Sequence, residues 1–138
     1  MKGSFIPPKL TRELRDLTRY RRKLVGHMAS EKNRLQKILE DANIKLSSVV
    51  SDMSGSTARK IINSMLEGEE NPKELAKLRH GKMKASESEL EKALQGKLSD
   101  HHKFMLSTIK ASIDHKLAEI EKLDDRISQQ LTPSVMST

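Results

Sequence analysis

Apolar residues recur every three or four positions in two long stretches, one in each half of the sequence. In the first stretch, spacings of four and three alternate from Leu10 to Ala42, with charged interruptions at Arg21 and Glu31. In the second stretch, the same alternation runs over residues 102–130. Alternating spacings of four and three form a heptad repeat, which places one apolar seam along an α-helix. The pattern therefore predicts two long helices.

We expect these helices to span about residues 9–43 and 99–131, the second with an N-cap at Ser99. The predicted fold class is all-α. The two helices form either an antiparallel coiled-coil hairpin within one chain or a coiled coil between chains. Narrow seams and only three aromatic residues bury little surface in a monomer, so a homo-oligomer is expected. The seam residues are Leu10, Leu14, Leu17, Leu24, Met28, Leu35, Ile38, Ile109, Ile113, Ile120, Leu123 and Ile127.

Regularly spaced glycines and capping residues divide the intervening sequence into three predicted short helices. Their predicted starts are a Ser56 cap, an N-cap with proline at Asn71-Pro72, and a capping box at Ser86 and Glu89. Their predicted ends are Gly68, Gly81 and Gly96. We therefore expect an extended leader over 1–8, one helical coiled-coil domain over 9–131 with a short-helix insert at 44–97, and a tail over 132–138.

The composition narrows the classes of protein to which the chain can belong. A third of the residues are charged, and Cys and Trp are absent. The absence of Cys excludes disulfides, thiol catalysis and Cys-ligated zinc, and it fits a reducing cytoplasm. No run approaches the roughly 18 apolar residues of a membrane span, and MKGSFIPP has no apolar core of a secretory signal. We expect a cytoplasmic protein without a membrane partner.

The positive charge of the chain is concentrated in its first third. Residues 1–45 contain 12 Lys or Arg against 5 Asp or Glu, whereas residues 46–138 contain 14 of each kind, so the net charge of +7 lies in the first segment. A localised excess of this kind is typical of proteins that bind polyanions. The alternative is a basic helix that is merely solvated.

Four arginines, Arg12, Arg15, Arg19 and Arg22, are spaced by three, four and three residues and form one stripe of the first helix, here called the Arg row. A guanidinium presents a planar fork of donors that matches phosphate oxygens. The row therefore predicts contact with the DNA or RNA backbone, without sequence preference. Tyr20 either stacks on an unpaired base or packs beside the seam. The candidate nucleic-acid-binding residues are the Arg row together with Lys23, Arg34 and Lys37.

No group of residues in the sequence suggests catalysis. His101 and His102 diverge by about 100° on a helix, and His102 fits a polar interruption of the seam better than a metal ligand. Asp124 and Asp125 fit a solvated face. The sequence has no P-loop, no GxGxxG and no HExxH motif. We therefore expect no catalytic residue, no metal ligand and no cofactor in this chain.

Several stretches resemble a known family of mobile-element enzymes. SFIPP with RELRDLTRYRRKL, EKNRLQKILEDANIKLSSVVSD and DHHKFMLSTIKASIDHKLAEIEKLDDRI resemble the middle of DEDD-type insertion-sequence transposases of the IS-one-hundred-ten family. The resemblance covers about residues 4–131. In that family, a RuvC-like nuclease domain that uses Mg²⁺ precedes a coiled-coil region, and a transposase domain with a catalytic serine follows it.

The resemblance implies a place for this chain within such an enzyme. The acidic metal ligands would lie upstream of Ser4 and the serine domain after about Pro133, so no catalytic residue is carried over. The family is directed by a structured guide RNA and works as a multimer. The implied function is that of a noncatalytic segment that multimerises and contacts DNA or structured RNA, with the rest of the transposase as a partner, in the nucleoid of a bacterial cytoplasm. The alternative is a coiled-coil protein-interaction module without nucleic-acid binding.

Overall fold

The computed structural model describes residues 7–132, and this part of the chain contains helices and turns but no β-strand. Residues 1–6 and 133–138, which include most of the predicted leader and tail, lie outside the described residues. The all-α prediction, with two long helices and three short ones between them, is confirmed. The helices are α1 (Pro8–Asp41), α2 (Ser56–Leu66), α3 (Pro72–Ala76), α4 (Glu87–Ala93) and α5 (Asp100–Leu131), with one 3₁₀ turn (Leu46–Ser48) between α1 and α2.

The chain divides into two compact units, and each long helix contributes to both. The first unit combines residues up to Ala29 with residues from Asp114 onward, and the second comprises Ser30–Ile113. No helix in the described part of the chain is long and apolar enough to cross a membrane.

A backbone motif ends α1 at Asp41, two residues before the predicted boundary. Asn43 adopts a left-handed conformation with φ of 62°. Its N–H donates to Glu40 O at 2.9 Å, and the Ile44 N–H donates to Leu39 O at 2.8 Å. These two bonds form a Schellman motif, which satisfies carbonyls that the helix end leaves open. The buried side chains of Leu39 and Ile44 supply the apolar pair that accompanies this motif.

Gly68 ends α2 in the same way, as its sequence position predicts. It adopts φ of 110°, and the Glu69 N–H donates to Ser64 O at 2.9 Å. The predicted cap at the other end of α2 was wrong. Ser56 is the first helical residue, and Gly55 occupies the N-cap position without a side-chain hydrogen bond. The helix also begins one position before a Ser56 cap would allow.

The other short helices begin where their capping residues predict. Asn71 caps α3 and accepts from the Lys73 N–H, with Pro72 in the first turn. Ser86 and Glu89 form the predicted capping box at the start of α4. The predicted end of α3 at Gly81 was wrong, because the helix ends at Ala76. The following residues instead form turns that lead to the buried Ala85.

The start of α5 confirms the predicted Ser99 cap. The His102 N–H donates to Ser99 Oγ at 3.1 Å, and the Ser99 N–H donates to His102 Nδ1 at 3.1 Å. This arrangement is a capping box in which histidine takes the place of the usual glutamate or glutamine.

The core of the second unit is aliphatic and contains residues from all six elements of the chain. Its largest fully buried side chains are Leu35, Leu39, Ile44, Leu46, Ile61, Ile62, Leu90, Leu94, Leu106 and Ile113. Leu39 was not among the predicted seam residues, whereas the predicted Ile38 is only half-buried. The reason is that α1 here packs against a compact helical insert, which covers a wider stripe than the single seam of a coiled coil.

A close backbone contact joins the end of α1 to the segment before α5. At Gly96, an added Cβ would overlap Ala42 O and would lie 2.6 Å from Asn43 C. The Lys45 N–H also donates to Ala93 O at 2.8 Å. Only glycine allows these two segments to approach so closely.

Candidate nucleic-acid interface

Helix α1 presents the Arg row on the side opposite its buried face. Leu24 and Met28 are only 5% and 8% exposed, which identifies the buried direction of the helix in the first unit. At 100° per residue, the Arg row lies between about 120° and 200° from Met28. All four side chains of the row are exposed, as is Lys23 beside them. The Arg row therefore faces solvent because it lies opposite the buried seam.

The Arg row has no acidic partner within the described part of the chain. No ion pair involves Arg12, Arg15, Arg19 or Arg22 there. The acids that precede them in the sequence, Glu13 and Asp16, lie about 60° and 120° from Met28 on one flank of α1. Four positive charges thus lie at neighbouring positions on one face, where like charges repel.

Arg21 belongs to the seam and behaves differently from the Arg row. Its Nε donates to Asp124 Oδ1 of α5 at 2.5 Å, and this hydrogen bond raises the pKa of Arg21. The charged interruption of the seam at Arg21 thus forms an ion pair with an acid on a neighbouring helix. Asp124 is exposed, as the sequence predicts, and its carboxylate is the partner in that pair.

The two remaining candidates, Arg34 and Lys37, lie in the second unit. Both are exposed, and Arg34 forms an ion pair with Glu31 one turn earlier. A guanidinium that is already paired with a carboxylate gains less binding energy from a phosphate than an unpaired guanidinium does. The Arg row is therefore the stronger candidate of the two groups.

Tyr20 is 49% exposed. Its position is about 120° around the helix from the middle of the Arg row. A base stacked on Tyr20 would consequently lie on a different face from the phosphates bound by the row.

Half of the twelve seam residues are buried within their own chain. Leu24, Met28 and Ile120 are buried in the first unit, and Leu35, Ile109 and Ile113 are buried in the second. Contacts between the helices join the early part of α1 to the late part of α5, at Arg21 and Asp124, and the end of α1 to the start of α5, at Asp41 and His102. The half-buried seam residues are Leu10, Leu14, Leu17, Ile38, Leu123 and Ile127.

The histidine pair forms a structural contact. His102 Nε2 lies 2.8 Å from Asp41 Oδ2 and, because Nδ1 accepts from Ser99, donates a hydrogen bond to it at the end of α1. His101 is exposed, and the two ring centroids are 6.4 Å apart in a tilted arrangement. Over residues 7–132, no three His, Asp or Glu side chains come together as a possible metal site.

Asp52 organises a polar cluster that the sequence reasoning missed. Its Oδ1 accepts from the Ser54 N–H at 2.9 Å, from Ser54 Oγ at 2.8 Å and from Lys32 Nζ at 3.2 Å. Partial burial favours a higher pKa for Asp52, but the bonds from Ser54 and Lys32 outweigh it and lower the pKa. The Asp-x-Ser spacing of an Asx turn was the available signal for part of this cluster.

A second missed feature is the loop that follows α3. The Arg79 guanidinium donates to Ala85 O at 2.6 Å and to Met83 O at 2.8 Å, and so closes the loop on itself. The loop carries the exposed Lys82 and Lys84. No local pattern indicated that Arg79 would bind backbone rather than solvent.

Comparison with known proteins identified no relative of this chain. No family model, no curated protein and no solved structure matches the chain. The exposed Arg row is consequently the feature from which a function can best be inferred.

Proposed function

We propose that this chain is a noncatalytic helical segment of a transposase or recombinase, which multimerises and holds the backbone of nucleic acid during DNA transposition. The observation that carries the proposal is the Arg row, four exposed guanidiniums on the face of α1 opposite its buried side, which have no acidic partner among residues 7–132. The resemblance to the IS-one-hundred-ten transposases supports the wider context of that role.

Electrostatics favours a polyanion as the ligand of the Arg row. Successive members are three or four residues apart, about 4.5 to 6 Å along the helix axis, so their charges repel in the free protein. A row of phosphates removes this repulsion and releases the counterions of the nucleic acid, which is the main source of backbone affinity. An acidic protein surface would need several carboxylates at matching intervals to achieve the same result.

Partly open seams support the proposed multimer. In the first unit, Leu10, Leu14 and Leu17 of α1 and Leu123 and Ile127 of α5 are only half-buried. A pair of helices covers one side of each seam, and a second copy of the chain covers more apolar surface. Sedimentation of the chain at micromolar concentration tests this part of the proposal. A folded monomer at all concentrations contradicts it.

The test of nucleic-acid binding is a charge-removal variant, in which all four residues of the Arg row are replaced by Gln. We expect weaker binding to a labelled nucleic acid and a salt dependence that is flatter by about 0.9 for each lost phosphate contact on a duplex. A matched control removes four exposed positive charges elsewhere and should retain most of the affinity: Lys60→Gln, Lys73→Gln, Lys97→Gln and Lys122→Gln.

Two outcomes contradict the proposal. If the wild-type chain binds no nucleic acid at low salt, or if the two variants lose equal affinity, the Arg row has no specific role. The chain is then better described as a coiled-coil module for protein partners. Magnesium-dependent cleavage by the isolated chain contradicts the noncatalytic assignment.

A further inference from the structure

From the placement of charges around α1, we infer that the Arg row binds the outer backbone of a double helix, and not an unpaired strand or the inside of a groove. This inference rests on the proposed function and specifies its ligand. Double-helical DNA and double-helical RNA share the relevant chemistry, a fixed array of phosphates along a rigid rod.

The first observation is the length and rigidity of the row. From Arg12 to Arg22 it extends about 15 Å along one uninterrupted helix. A duplex carries one charge per about 1.7 Å of its axis, so the same length holds about nine phosphates. Several of them lie within reach of the four guanidiniums. Because both partners are already ordered, little conformational entropy is lost on binding.

The second observation concerns the flanks of the row. Glu13 and Asp16 share one flank with Lys9 and Lys23, and the uncharged Thr11, Thr18 and Val25 occupy the other. A helix inserted into the major groove has phosphates along both sides. Insertion of α1 would place Glu13 and Asp16 beside one backbone and would leave the other without a basic partner. The helix therefore lies against the duplex from outside, where it contacts no base edge.

The third observation is the absence of aromatic residues from the arc of the row. Proteins that bind unpaired strands combine positive charge with aromatic side chains on which bases stack. The aromatic side chain nearest in sequence is Tyr20, and it lies about 120° around the helix from the middle of the row. An unpaired strand bound by the Arg row would lose conformational entropy without gaining stacking.

The experiment measures binding of the full chain to three labelled ligands by fluorescence anisotropy over a series of salt concentrations. The ligands are a 20-base-pair DNA duplex, a 20-base-pair RNA duplex and an unstructured oligo(dT) of about the same charge. We expect at least one duplex to bind about tenfold more tightly than oligo(dT), with a salt slope of up to about 3.6 for four phosphate contacts. A DNA duplex of unrelated sequence should bind within about threefold of the first.

Two sets of variants locate the contact. Replacing the Arg row by Gln should abolish the preference for a duplex, whereas replacing it by Lys should retain most of the salt slope, since the charge remains. Tyr20→Ala should leave duplex binding unchanged. Binding of only one of the two duplexes upholds the inference and identifies the natural helix as DNA or RNA.

The results distinguish failure of the double-helix inference from failure of the proposed nucleic-acid binding. If oligo(dT) binds as tightly as both duplexes, or if Tyr20→Ala weakens binding about tenfold, the double-helix inference is overturned and nucleic-acid binding still stands. A strong preference between the two DNA sequences also overturns it, because an outer-backbone contact reads no bases. If no ligand binds, the proposed function itself fails.

Discussion

Gly96 provides a sharp test of how the second unit is held together. In Gly96→Ala, the new methyl group would overlap the carbonyl oxygen of Ala42 and would lie 2.6 Å from Asn43 C and 2.7 Å from Asn43 O. All three contacts are with backbone atoms, so no side chain can rotate to make room. Relief requires the end of α1 and the segment before α5 to separate.

The expected cost follows from the bonds that separation would strain. The Asn43 N–H donates to Glu40 O at 2.9 Å, and the Lys45 N–H donates to Ala93 O at 2.8 Å. Insertion of a methyl group into a packed site commonly costs about 1–3 kcal/mol, and more where the backbone must move. The smaller conformational freedom of alanine in the unfolded chain offsets only about 0.4–1 kcal/mol. We therefore expect Gly96→Ala to lower the free energy of unfolding by about 2–3 kcal/mol.

The assay is urea denaturation followed by far-ultraviolet circular dichroism, because the chain contains one Tyr and no Trp for fluorescence. Two glycines with no atom within 4 Å of an added Cβ serve as controls. Gly81→Ala should change stability by less than about 0.5 kcal/mol. Gly26→Ala, within α1, should stabilise by about 0.5–1 kcal/mol through helix propensity. If Gly96→Ala is as stable as Gly81→Ala, the close approach of the two segments is wrong.

Three further predictions follow from other residues. Because Leu39 is buried, Leu39→Ala should lower the free energy of unfolding, measured by urea denaturation, by about 2–5 kcal/mol. Ile38→Ala, at a half-buried site, should lower it clearly less, and equal losses of stability would contradict the observed burial. Residue 43 has a φ of 62°, so Asn43→Gly should be neutral or stabilising and Asn43→Ala should destabilise the fold by about 1 kcal/mol. The two variants should differ in their midpoints of thermal denaturation, and identical midpoints would argue against a left-handed conformation at residue 43. The lowered pKa of Asp52 should stabilise the fold at pH values above its ordinary value of 3.8, and this contribution should disappear as the pH falls through the lowered pKa. The stability gap between wild type and Asp52→Asn should therefore close in acid, and a gap that is constant from pH 7 to pH 2 would refute that assignment.

The sequence alone determined the features that depend on local chemistry. The heptad spacing predicts both long helices because a seam recurs with the period of the helix. Capping at Asn71, Ser86 and Ser99 and termination at Gly68 involve hydrogen bonds between residues that are close in the chain, so short patterns reveal them. The exposure of the Arg row follows from the same periodicity, since residues opposite a buried seam face solvent.

Only the tertiary structure decided which partners are brought together over long separations in the chain. The heptad pattern places an arginine at position 21, but the pairing of α1 with α5 selects Asp124 as its partner. The register of a seam likewise cannot show that a compact insert covers Leu39 more fully than Ile38. Gly96 has no left-handed torsion that a turn pattern would reveal, and its need for glycine arises from the backbone of Ala42 and Asn43, more than fifty residues away in the sequence. Local patterns therefore specify the helices and their faces, while packing specifies the contacts between them, because those contacts depend on where distant segments meet.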